Sequence, residues 1–149
     1  MKIEFLVLAD SAQVADGKLF ILGGGWGVFR SGNYPAHAQL AVGLNMLIPW
    51  EEAGGKFPLS ITIADDTGVP IIPEITGQIQ AANSAQLPKG TIQKAPLAVN
   101  LNVSLPHPGR YTISAAAGAS RIETFFDAIF VGKTAAATTP VAPAQEPGN

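Results

Sequence analysis

The chain has 149 residues, of which 47% are hydrophobic and 13% charged, with a formal net charge of −2. That length suits one domain with a real core, and so few charges leave a bare exterior that suits a homo-oligomer or a protein partner and equally an unremarkable surface. The nine basic residues are scattered and cysteine is absent, which argues against a nucleic-acid partner, a disulfide framework and any thiolate metal site.

In chain order, Glu4 and Asp10 interrupt the opening apolar run Met1 to Ala9, so it reads as a strand rather than a signal peptide. No stretch approaches the roughly 18 apolar residues that cross a bilayer. A cytoplasmic location without a membrane partner is therefore expected. Asp16-Gly17 is a tight-turn dipeptide, and Lys18 to Leu22 follows as a strand. Gly23-Gly24-Gly25 interrupts it, and Trp26 to Arg30 continues extended.

The central chain alternates apolar and polar residues with period two. Leu40, Val42, Leu44, Met46 and Ile48 fall on one face, with Gln39, Ala41, Gly43 and Asn45 on the other. Phe57 to Ala64 and Leu97 to Leu105 repeat the pattern. A helix would scatter these apolar sets around its circumference, whereas a strand gathers each onto one face. Ile71 to Ile79 reads as a strand at an edge or bulge, because Pro73 cannot donate to a ladder. Ala81 to Gly90 reads as a loop. Arg110 to Ala115 and Ile122 to Val131, with a turn near Gly118, complete about eight or nine strands. The expected fold is an all-β antiparallel sandwich over residues 1–132. The Ala, Thr and Pro composition of residues 133–149 predicts a disordered tail. Tyr111 is expected to bury its ring and bond its hydroxyl to nearby backbone, as a tyrosine corner does.

Four motifs invite a chemical reading. Gly132-Lys133-Thr134 resembles the end of a phosphate loop, but Asp127 stands where the motif needs glycine and no helix follows. Asp66-Thr67-Gly68 after an apolar strand resembles the aspartic peptidase triplet. Such an enzyme would need a symmetric dimer so that two copies of Asp66 share a proton. Asp66 and Gly68 equally suit an exposed hairpin turn, which is the preferred reading. His37 and His107 lie far apart with no carboxylate at helical spacing, so no metal site is expected. Asn102-Val103-Ser104 matches a glycosylation sequon in mid-strand and is ascribed to chance.

Gly23 to Gly27, with Trp26 inside it, is the least ordinary feature. Each glycine costs roughly 0.5–1 kcal/mol relative to alanine in regular structure, so positive φ angles, a bulge or a close approach should require the run. One reading is a bulge that turns Trp26 into the core. The other is a glycine-flanked aromatic offered to a partner.

The segments Leu8-Ala9-Asp10, Gly17-Lys18-Leu19, Gly23-Gly24-Gly25-Trp26, Asp65-Asp66-Thr67-Gly68 and Leu105-Pro106-His107-Pro108-Gly109-Arg110-Tyr111 resemble a family of short bacterial, mainly actinobacterial, proteins of unknown function. The resemblance implies an immunoglobulin-like sandwich and transfers no catalytic residue or cofactor. The expected function is a non-catalytic module that binds another protein or associates with itself, using Gly24, Gly25, Trp26 and Trp50. The alternative is a sandwich with a small-molecule or carbohydrate site walled by aromatics. A dimeric aspartic peptidase built on Asp66 is the third reading.

Overall fold

Ten strands run through the described residues: β1 (Lys2–Ala9), β2 (Ser11–Ala15), β3 (Lys18–Leu22), β4 (Val28–Ser31), β5 (Ala36–Ile48), β6 (Lys56–Ala64), β7 (Ile75–Gln80), β8 (Gln93–Leu105), β9 (Gly109–Ala117) and β10 (Ser120–Phe130). The computed structural model describes residues 1–132, and the expected tail lies outside the described residues. Short 3-10 turns at Trp50–Glu52 and Ser84–Gln86 are the remaining regular pieces. Among the described residues no helix is long and apolar enough to cross a membrane.

β1, β5 and β8 form one sheet, and β4, β10, β9, β6 and β7 form a second, each in that order. Neighbours are antiparallel except β4 and β10, which run parallel from Val28 opposite Asp127 to Ser31 opposite Phe130. An early strand thus pairs in one sheet while a later segment crosses to flank the last strand in the other, the connectivity of an immunoglobulin-like sandwich. The alternating residues read from the sequence face inward as expected: Leu40, Val42, Leu44, Ile61, Ile63 and Leu105 are fully or almost fully buried. Tyr111 is buried too, its ring stacked on Phe126, and its hydroxyl donates to the His107 carbonyl at 2.6 Å.

Two elements depart from expectation. β2 was missed, because Ser11, Gln13 and two alanines carry a weak apolar pattern. The strand foreseen over residues 71–79 shrinks to β7, leaving Pro73 outside the ladder at the sheet edge.

β2 and β3 form a hairpin whose turn uses positive φ at Asp16 (50°) and Gly17 (67°). It lies as a third layer on the outer face of the three-stranded sheet. Ala9, Ala12 and Ala41 bury one another there, with Ala98 against them. A Cβ on Gly43 would sit 3.2 Å from Ile21 Cδ1 and 3.3 Å from Leu19 Cδ2, so the glycine suits the hairpin's close approach. Asn100 fastens it: the Ala12 amide donates to Asn100 Oδ1 at 3.1 Å, and Asn100 Nδ2 donates to the Ala12 carbonyl at 2.8 Å. The face of β5 carrying Ala41, Gly43 and Asn45 is therefore buried as well.

The glycine run is the return path from this hairpin. Gly23 (φ 63°) and Gly25 (φ 82°) adopt the left-handed region that favours glycine. The Gly25 amide bonds to the Leu8 carbonyl at 2.7 Å, and the Asp10 amide to Leu22 at 3.1 Å. A Cβ on Gly24 would fall 2.7 Å from Ile21 Cγ2. The segment is thus a crossover loop rather than a strand bulge, and the extended piece begins at Val28, two residues later than expected.

Candidate functional site

Residues paired across an antiparallel hairpin point to the same face. Ala12 with Ile21 and Val14 with Leu19 turn toward the sheet, so Ser11 with Leu22, Gln13 with Phe20, and Ala15 with Lys18 turn outward. This outward face is strongly apolar at its centre, with Leu22 72% and Phe20 56% exposed. Val14 and Ile21 reach solvent at its flanks.

The four residues expected to bind fall in two places. Gly24, Gly25 and Trp26 form the crossover at the hairpin's base. Trp26 is half-buried, its ring edge-on to Phe126 at 5.4 Å between centroids, and its Nε1 is buried without a hydrogen-bond partner. It braces the end of the sandwich and is not a free surface anchor. Trp50 is also half-buried with an unpartnered Nε1, but it follows Ile48, at the end of β5 that pairs with the start of β1. Gly25 bonds near the far end of β1, so the structure does not bring Trp50 to the other three.

A second constellation forms where the β6–β7 connection meets the turn between β8 and β9. Asp65 Oδ1 accepts from the Thr67 amide (2.9 Å), the Thr67 hydroxyl (2.7 Å) and the Val69 amide (2.9 Å). Its Oδ2 lies 3.5 Å from His107 Nε2. His107 Nδ1 lies 3.0 Å from the Pro108 carbonyl, so Nδ1 carries the proton and a neutral ring would aim the Nε2 lone pair at the carboxylate. Protonation removes that conflict. The Pro108 carbonyl first, and then Asp65, accordingly hold the His107 pKa above its usual value. The Thr67 hydroxyl, followed by the Val69 amide, holds Asp65 below its usual value.

Asp66, the carboxylate of the peptidase reading, is exposed at the tip of this turn, beside Gly109. Ligand atoms of Asp65, Asp66 and His107 lie within 4.8 Å of one another. Asp65 Oδ1 is fully engaged by its own turn, and Oδ2 faces His107. The cluster is best described as a tie between two loops.

Beside this tie, a groove of about 520 Å³ crosses the outer face of the five-stranded sheet, past Thr62, Arg110, Thr112, Ser114, Arg121 and Glu123. Both of its arginines are paired. Arg110 donates to both Asp127 oxygens at 2.8 and 3.1 Å, and Arg121 donates to Glu123 at 2.8 Å. Among the described residues, Phe125 is the ring beside the groove, and the Arg110 guanidinium lies over it, 3.9 Å from its centroid. An open aromatic wall, which the carbohydrate reading requires, is missing from this groove.

A family model described as a family of unknown function, DUF6941, matches residues 4–124. The chain belongs to DUF6941. The matched DUF6941 region runs from β1 into β10 and contains the hairpin, the crossover and the Asp65–His107 tie. No curated protein matches the chain. Among solved structures, a glycosyl hydrolase family 2 member from Bacteroides cellulosilyticus DSM 14838 is similar, with a TM-score of 0.42 and 15% identity. The similarity covers 62% of this chain and 13% of that one.

In this DUF6941 domain, sequence reasoning missed the most exposed apolar pair, Phe20 and Leu22. The Asp16-Gly17 turn fixes which residues of the hairpin share a face, but not that one face docks on the sheet and leaves these two outside. The meeting of Asp65 with His107 carried no signal, because over forty residues separate them.

Proposed function

We propose that this DUF6941 domain acts by binding another protein chain, without catalysing a reaction, and that the outward face of the β2–β3 hairpin is the contact. The exposure of Leu22 and Phe20 side by side carries the reading. A monomer gains nothing from displaying two large apolar side chains on an inserted element that is already docked by its other face. Five residues of strand give a face about 17 Å long, which suits the small, transient class of interface. Gly24, Gly25 and Trp26 serve it by fixing the hairpin's base. A bacterial, cytoplasmic setting accompanies this reading, compatible with the cysteine-free composition.

A photo-reactive side chain placed at position 22 tests the proposal in bacterial cells producing the protein. It should yield a discrete protein adduct, whereas the same group at Thr62, on the other sheet, should not. Equal adducts from both positions, or none from position 22, would overturn the assignment. The double substitution Phe20→Ser/Leu22→Ser should abolish capture from a probe at Gln13 while leaving the urea midpoint within about 0.5 kcal/mol, as surface changes usually do.

A further inference from the structure

The side of the sandwich formed by β7 and β8 is open. β8 bonds to β5 along one edge, no other strand pairs with it, and no turn or loop backbone bond among the described residues ends on it. Its inward residues Leu97, Val99 and Leu101 are only half-buried, although their partners Leu44, Val42 and Leu40 on β5 are completely covered. Between β8 and β7 a crevice of about 170 Å³ leads down to Leu59 and Ile61.

Two physical requirements define what fits there. A free ladder edge presents alternating N–H and C=O groups, which an extended strand satisfies and a helix does not. From Leu97 to Leu105 the edge carries nine residues with no charge and no proline, so the usual devices against strand pairing are absent.

The segment is also complementary to itself. An antiparallel pairing about a two-fold axis at Leu101 sets Leu97 opposite Leu105, Val99 opposite Val103 and Leu101 opposite itself. Every inward apolar residue then meets an apolar residue, while Asn100 meets Asn102 on the outer face. A slip of one residue would mix the two faces. Nine paired residues span roughly 30 Å. A strip of that length buries on the order of 500 Å² per copy, which reaches the weak end of specific interfaces.

We propose that a second copy of this chain docks on the free edge of β8, joining two three-stranded sheets into one of six strands. This contact is separate from the hairpin face and does not depend on it. Sedimentation of the full chain should show the mass rising with concentration from 15.4 kDa toward twice that value. The chain contains no cysteine, so Leu101→Cys gives a clean second readout. Residues directly opposite on the two-fold have Cβ atoms about 4.5–5.5 Å apart, close enough for a disulfide after slight adjustment. Leu101→Cys should form a covalent dimer under mild oxidation, whereas Val99→Cys should form little. Should the cysteine unfold the domain, hydrogen exchange on the wild-type chain replaces it, with amides 97–105 slowing as concentration rises. Phe20→Ser/Leu22→Ser should leave the dimer intact, so loss of the hairpin reading and loss of this one are told apart. A mass fixed at one chain, equal cross-linking from positions 99 and 101, or no concentration-dependent protection would overturn the proposal.

Discussion

Tyr111 shows how one side chain joins two duties. Its ring stacks on Phe126 in the core, while its hydroxyl donates to the His107 carbonyl at 2.6 Å and so holds the turn entering β9. Tyr111→Phe keeps the ring and removes the tie, and urea melts should register a loss of about 1 kcal/mol. The same turn carries the pH response. The raised pKa of His107 contributes stability that is whole below the ordinary value of 6.5 and fades as pH rises through the folded value. The lowered pKa of Asp65 contributes above its ordinary 3.8 and fades as pH falls through the folded value. The loop tie is therefore fullest between about pH 4 and 6.5. His107→Gln should flatten the decline of the urea midpoint between about pH 6 and 8; an unchanged slope would show that the histidine is uncoupled from folding. At Trp26 the half-buried ring on Phe126 gives a third expectation. Trp26→Ala should cost about 3 kcal/mol, the low end for a buried aromatic, and should weaken capture at the hairpin face by loosening its base.

At the scale of elements, the hairpin is held by an alanine cluster, by Leu19 and Ile21 over Gly43, and by one side-chain amide. Leu19 and Ile21 supply the apolar area, the alanines the closeness, and the two Asn100 hydrogen bonds fix where the hairpin sits. Asn100→Ala should therefore loosen β2 and β3 selectively. Hydrogen exchange over residues 11–22 should quicken while the amides of β5, β9 and β10 stay protected. Uniform acceleration would mean that hairpin and sandwich open as one unit. This docking also explains what the sequence hid. The alternation of Leu40 to Ile48 located β5 and its core face correctly, but Ala41 and Gly43 looked solvent-facing. Alanine and glycine fit equally well beneath a closely packed layer and on a bare surface. Which strands would form sheet edges was equally hidden, since the residues of β8 alternate as regularly as those of a central strand. Pro73 alone marked its neighbourhood as an edge.

For the whole molecule, the sandwich is the scaffold and the hairpin is an addition to it. Replacing Ser11–Leu22 by a short Gly/Ser link should leave one cooperative unfolding transition. Its urea m value should be smaller, in proportion to the surface no longer buried. Biphasic unfolding would show that the third layer is needed for cooperativity. The reading of a two-sheet sandwich rested on turn spacing and apolar alternation, and its immunoglobulin-like character on the family resemblance; the structure bears out this fold. The candidate binding site was only partly legible: Gly24, Gly25 and Trp26 lie at the base of the exposed face, yet Phe20 and Leu22 form it.

The parallel pairing of β4 with β10 also has a mechanical consequence. Tension that draws β4 toward the N-terminus and β10 toward the C-terminus pulls these two strands in opposite directions along their common axis. Their cross-strand hydrogen bonds, over the four paired positions from Val28–Asp127 to Ser31–Phe130, are then loaded together in shear. An antiparallel hairpin pulled from its open end yields one bond at a time. A single short patch of strand joining the early chain to its last strand would thus act as a clasp, and the force needed to open the domain would depend on the direction of pull.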